Sequence, residues 1–153
     1  MPDTQTTPDL AGLYFRLFNE IGMLGQLSRA MFAARLPRGL VLPDFTVINH
    51  LIRVKDGQTP LQLACAFQVP KTSMTHTPAG LEKRGLVEMR TNPEDARSKQ
   101  VWLTEAGRSF RDETIASLDA DIVQFADTFD AAELMTLTDQ LEKLRKRPDA
   151  ARD

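Results

Sequence analysis

The 153-residue sequence holds one cysteine, Cys65, and two histidines, His50 and His76. A single thiol closes no intramolecular disulfide, and these three side chains have no zinc-ligand spacing, so a disulfide scaffold and a metal centre are not expected. Cys65 itself, with apolar helical neighbours, is expected to be a small buried hydrophobe. No run approaches eighteen uninterrupted apolar residues, and Met1–Asp9 has neither a basic nor an apolar export signal. Neither membrane insertion nor secretion is expected, and the cytoplasm is the simplest compartment. Glycine-rich phosphate loops, nucleophile elbows and paired-histidine metalloprotease motifs are also missing, which argues against an enzyme and against a bound cofactor.

What is present is ordinary in amount and uneven in place. Apolar residues make 42% and charged residues 26% of the chain, the balance of one globular domain. The net charge is only −2, but it is segregated. Arg53–Lys99 carries eight bases and five acids, a balance of +3, whereas Asp112–Glu142 carries nine acids and no base. The middle of the chain suits a polyanion; the later part is a solvated acidic face that does not.

Periodicity supplies a coarse layout. Leu10, Leu13, Tyr14, Leu17, Ile21 and Leu24 share one helical face, which predicts a first helix over about 9–36. A second opens near Pro43 and ends at Lys55-Asp56-Gly57. Thr59 and Gln62 form a capping box for a third, and Pro70 opens a fourth that runs to a stop at Gly85. Leu86–Arg90 and Lys99–Leu103 read as a β-hairpin around a long polar tip, Thr91–Arg97. Thr104 starts a helix carrying Ile115, Leu118, Ile122 and Phe125. Asp130 and Glu133 cap a last one, whose Leu134, Leu137, Leu141 and Leu144 make a narrow seam of coiled-coil type.

The segment Leu61–Arg84 has helix-turn-helix grammar: two short helices, a turn of about three residues, and small Ala64 at their crossing. The second helix presents Lys71, Thr72, Ser73, Thr75, His76 and Thr77, short hydrogen-bonding groups suited to phosphates and to base edges in a major groove. His76 reads equally well as an exposed residue without a contact. A β-ribbon tipped by Arg97 and flanked by Arg90 and Lys99 completes a winged helix, in which a cation reaches the neighbouring minor groove. Pro78 interrupts the reading helix, and the lost N–H and ring clash predict a break or kink at Thr77 and Pro78, with Thr77 recapping.

Three motifs then carry a resemblance. Leu81-Glu82-Lys83-Arg84-Gly85-Leu86-Val87, Asp95-Ala96-Arg97-Ser98-Lys99 and Val101-Trp102-Leu103-Thr104-Glu105-Ala106-Gly107, in this order, resemble the signature of the MarR (multiple-antibiotic-resistance regulator) family. The resemblance implies a mainly α fold with a small β-hairpin wing. It assigns 43–103 to a winged helix-turn-helix and 9–36 with 104–147 to helices that form a homodimer. It further implies binding to a pseudo-palindromic double-stranded operator, with Arg97 in the minor groove and Asp95 orienting it. A carboxylate two residues away can hold a guanidinium in a bidentate pair; the plainer reading is an exposed turn ion pair. The family also implies repression relieved by a small aromatic or anionic effector between the dimer helices and the winged helix. Arg16, His50 and Arg53 are the candidate polar contacts there, each also readable as a surface or internally satisfied residue. A winged-helix module that binds a protein instead of an operator is the alternative.

Overall fold

A computed structural model describes residues 9–149. The chain forms two compact units, one up to Leu118 and one from Asp119.

The first unit begins with α1 (Leu10–Arg35) and α2 (Leu42–Arg53). Pro43 sits in the first turn of α2, where the Asp44 carboxylate accepts the Val41 N–H at 2.8 Å. Phe45, Val47, Ile48 and Leu51 recur on the buried face of α2 and form the centre of the core. Phe45 lies between Phe32 of α1, at 5.0 Å between ring centroids, and Phe110, which meets it edge-on at 6.3 Å. The capping box of α3 (Pro60–Phe67) forms as expected: Gln62 N–H donates to the Thr59 hydroxyl at 3.2 Å and Thr59 N–H to the Gln62 side chain at 2.8 Å. Leu63 and Ala64 are the buried residues of α3. Cys65, expected to be buried, is exposed, because an eight-residue helix buries one narrow face and Cys65 stands off it.

The helix that follows, α4 (Ser73–Lys83), starts three residues after Pro70. Lys71 and Thr72 lie in the turn before it, where Ser73 N–H bonds the Pro70 carbonyl. It runs through Pro78 without the expected break. Thr77 does not recap; its hydroxyl donates back to the Ser73 carbonyl at 3.4 Å. The Pro78 ring is fully buried. Burying an apolar side chain of that size is worth about 1.5–3 kcal/mol, close to the roughly 3 kcal/mol that an interior proline costs. The helix ends as expected at Gly85, which has a left-handed φ of +71°.

The hairpin is longer and its tip tighter than the composition predicts. Strand β1 (Val87–Asn92) pairs with β2 (Asp95–Leu103) from Val87↔Leu103 to Thr91↔Lys99, then again at Asn92↔Asp95, leaving only Pro93 and Glu94 in the turn. Between the last two pairs β1 advances one residue and β2 four, so Ala96, Arg97 and Ser98 loop out as a bulge.

Thr104 then caps α5 (Glu105–Ser117), accepting Gly107 N–H at 3.1 Å and donating to the Gly85 carbonyl at 2.6 Å. Gly107 is required here, since a Cβ would collide with the Leu86 carbonyl. The single helix expected to carry Ile115 through Phe125 instead ends at Ser117. The Thr114 and Ser117 hydroxyls take the carbonyls of Phe110 and Thr114, and Leu118 N–H turns back to Ile115 in a tightened last turn.

The second unit contains α6 (Asp119–Ile122), a 3₁₀ turn at Val123–Phe125 and α7 (Ala131–Asp149). Asp130 and Glu133 exchange the two expected capping bonds, each 2.9 Å. Leu134, Leu137 and Leu141 of the α7 seam are exposed, and so are Leu13, Tyr14, Leu17 and Leu24 of the α1 face.

Candidate nucleic-acid interface

The wing folds back beside the turn that opens α4. An open cleft of about 600 Å³ lies between them and the start of α3, and Lys71, Thr75, Asp95, Arg97 and Lys99 line it. Sequence positions up to 28 residues apart thus place three cations on one hollow. Among the described residues none of the three has an ion-pair partner.

Side chains at the tip hold Arg97 in place. Asn92 is buried; its amide donates to the Ser98 hydroxyl at 2.9 Å and its carbonyl oxygen accepts Glu94 N–H at 3.0 Å. The Ser98 hydroxyl donates to the Asp95 carbonyl at 3.1 Å. Asp95 accepts the backbone N–H of Arg97 at 3.0 Å. The guanidinium pair expected between Asp95 and Arg97 is therefore replaced by an Asx turn, which fixes the backbone and leaves the cation unspent. Asn92 as organiser of the tip was missed from sequence, although Asn-Pro is a turn signal that points to it.

The remaining reading-helix residues are placed less uniformly. Thr72, Ser73 and His76 are exposed, but none lines the cleft. Thr77 is half-buried. The Thr75 hydroxyl donates to the Lys71 carbonyl at 3.1 Å and keeps its lone pairs for an outside donor. The Ser73 and Thr75 amides bond the preceding turn, which leaves fewer N-terminal donors for a phosphate than a bare helix start would offer.

Arg90 stands apart from these cations. Its guanidinium donates to Glu88 at 2.9 Å and lies 5.3 Å from the Trp102 ring centre. The hydrogen bond and charge of Arg90 hold the Glu88 carboxyl below the usual carboxylate range, and Glu88 raises Arg90 in return. The structure does not bring Arg90 to the cleft with Arg97 and Lys99.

Nor does it gather the three effector candidates. Arg16 is exposed on α1 and Arg53 at the end of α2. His50 shares a 2.9 Å hydrogen bond with the Gln58 side chain and stacks edge-on to Phe67 at 4.9 Å. An apolar cleft of about 560 Å³ does open between α1, α2 and the helix-turn-helix, lined by Arg29, Leu42, Pro43, Thr46, Phe67 and Met74. A neighbouring hollow of about 180 Å³ also has Arg29 in its wall, with Phe32 and Asn49. Arg29 was missed, yet it is the one charged residue between Glu20 and Arg35, in a stretch otherwise apolar or neutral.

No group of three or more metal-ligating side chains is clustered among the described residues, and no described helix is long and apolar enough to cross a membrane.

A helix-turn-helix followed by a β-ribbon with a free cation at its tip defines a winged-helix protein. The family model described as MarR family matches residues 47–99, which span α2 from Val47 through most of the wing. Over those residues the chain is similar to the MarR family. Among solved structures, a MarR family transcription regulator is similar at 27% identity and a TM-score of 0.69, over 94% of this chain and 95% of that one. A mutant MarR from E. coli complexed with operator DNA is 27% identical, with a TM-score of 0.68 over 89% of this chain and 98% of that one. CouR from Rhodococcus jostii RHA1, bound to p-coumaroyl-CoA, shares the fold at 22% identity and a TM-score of 0.65, over 92% and 95% of the two chains.

Proposed function

We propose that the chain is a sequence-specific DNA-binding transcriptional repressor, acting as a homodimer on a pseudo-palindromic operator and released by a small molecule. The supporting observation is the cleft that joins Lys71 and Thr75 to the unpaired Arg97 and Lys99, a cationic hollow between a reading helix and a wing. In this reading 43–103 reads DNA, and 9–36 with 104–147 supplies the dimer frame. Lys71, Thr72, Ser73, Thr75 and His76 face a major groove, Thr77 lies at the margin, and Arg97 enters the minor groove with Lys99 on the adjacent phosphates. Arg90 keeps the ribbon in shape from its pair with Glu88. The exposed leucines of α1 and α7 are what a second copy would cover. The break at Pro78 that would have favoured a protein-interaction module is absent, which supports the operator reading over that alternative.

The apolar cleft around Arg29 suits an aromatic anion: its walls bury a ring, and Arg29 offers a forked donor for a carboxylate. It replaces Arg16, His50 and Arg53 as the effector contact. A ligand that prefers one separation of two reading heads shifts the population away from the spacing that successive major grooves demand. No step in this account calls for a catalytic group. The test is a footprint and a salt titration on the DNA flanking the protein's own gene: protection of two half-sites, with affinity falling steeply as salt rises, is the expected outcome. Equal binding to any duplex would overturn it.

A further inference from the structure

The root of the wing is fastened by a residue that the reading above leaves unused. Asp56 follows α2 and reads in the sequence only as part of a helix stop. In the structure its Oδ1 accepts two N–H groups at 3.0 Å, those of Gly57 and of Leu103 at the end of β2. Its Oδ2 accepts the Arg108 guanidinium, on α5, at 3.1 Å. One carboxylate thus ties the α2–α3 connection, the last residue of the wing and the first turn of α5. Beside it Gly57 N–H donates to Val101 at 3.1 Å and Val101 N–H to Gln58 at 2.8 Å, so that β2 is gripped along its inner end. The Trp102 ring lies over Gly57 too closely to admit any side chain there.

The geometry of a lever makes this joint matter. Arg97 lies between the fourth and fifth steps of the ladder counted from Leu103, about 15 Å at strand rise. A swing of roughly 10° at the root moves the tip by about 3 Å, the reach of a hydrogen bond. We propose that Asp56, through its pair with Arg108 and its bond to Leu103, is a positioning residue for operator reading: it sets the angle of the wing and hence where Arg97 falls. This rests on the operator-binding reading.

Asp56→Asn keeps an acceptor for the two amides and drops the ion pair; Arg108→Ala drops the same pair from the other side. On the duplex flanking the protein's own gene, each is expected to weaken affinity about threefold to fivefold, and the double variant no more than either alone. Hydroxyl-radical protection should fade at the outer flanks and persist at the centre of each half-site. The decisive arm repeats Asp56→Asn in an Arg97→Ala background, where it should cost nothing further, because the wing has no cation left to aim. An equal loss in both backgrounds marks a general structural role and overturns the proposal. So does unchanged affinity in both single variants while the wild-type chain binds its operator, an outcome that leaves the operator reading intact. Failure of the wild-type chain to bind overturns both.

Discussion

Asp95 holds Arg97 by its backbone: the carboxylate accepts the Arg97 N–H at 3.0 Å, and among the described residues the guanidinium pairs with nothing. Direction comes from the turn and charge stays available. Asp95→Asn retains the acceptor and should leave operator affinity near wild type, whereas Asp95→Ala frees the turn and should weaken it severalfold. An ion pair would make the two variants equally damaging. Fluorescence anisotropy on a labelled operator measures both.

Arg97→Ala removes the cation itself. Operator affinity should fall by about 1–3 kcal/mol, with relaxed specificity at the flanking positions. Selection of bound sequences from a random pool, compared with the wild type, reads the second effect.

Pro78 offers a stability test with opposed contributions. Pro78→Ala restores a helical N–H for the Met74 carbonyl and gains about 3 kcal/mol of helix propensity, but it vacates a fully buried ring worth about 1.5–3 kcal/mol. The net change should lie within about 1.5 kcal/mol of zero on the stabilising side, seen as a modest rise in melting temperature. A marked fall would mean that the cavity outweighs the restored rung.

Glu88 gives a pH dependence with a defined sign. Its carboxyl is depressed in the folded state, first by the Arg90 hydrogen bond and then by the Arg90 charge. The stability it contributes is therefore present above the unfolded carboxylate range and is lost as pH falls through the folded value. Melting curves of wild type and Glu88→Gln should differ slightly at neutral pH and converge in acid. Divergence on acidification would contradict the assignment.

Arg29→Ala should abolish release of DNA by aromatic carboxylates while leaving operator affinity in their absence unchanged. Arg16→Ala and Arg53→Ala should leave release intact. A panel of such acids titrated into the protein–operator complex separates the three.

Much of this molecule is legible where causes are local. The Thr59–Gln62 and Asp130–Glu133 boxes formed because each is settled within four residues. The Leu-Thr-x-x-Gly motif is equally transparent afterwards, with Thr104 bridging Gly85 to Gly107. What the chain hid depends on distant partners. Pro78 looked like a break because the sequence does not show that its ring is buried, and Cys65 looked buried because residue type says nothing of which face a short helix turns inward. The early end of α5 lay in the hydroxyls of Thr114 and Ser117, neutral letters in any periodicity count. At the candidate site, the cationic residues were readable as types, but Arg90 was sorted from Arg97 by its pair with Glu88, the pleat and Trp102.

The bulge at Ala96–Ser98 has a consequence for how such a protein changes over time. Because Asn92↔Asp95 closes the tip on its own and Thr91↔Lys99 resumes the ladder below it, the looped-out residues are registered to neither side. Losing or gaining one of them alters how far the loop that carries Arg97 stands out from the ribbon, by about 3 Å, without sliding any paired residue to the wrong face. Span and scaffold are thereby free to vary independently, so a lineage can retune its grip on a new target site while its hydrophobic interior stays as it was.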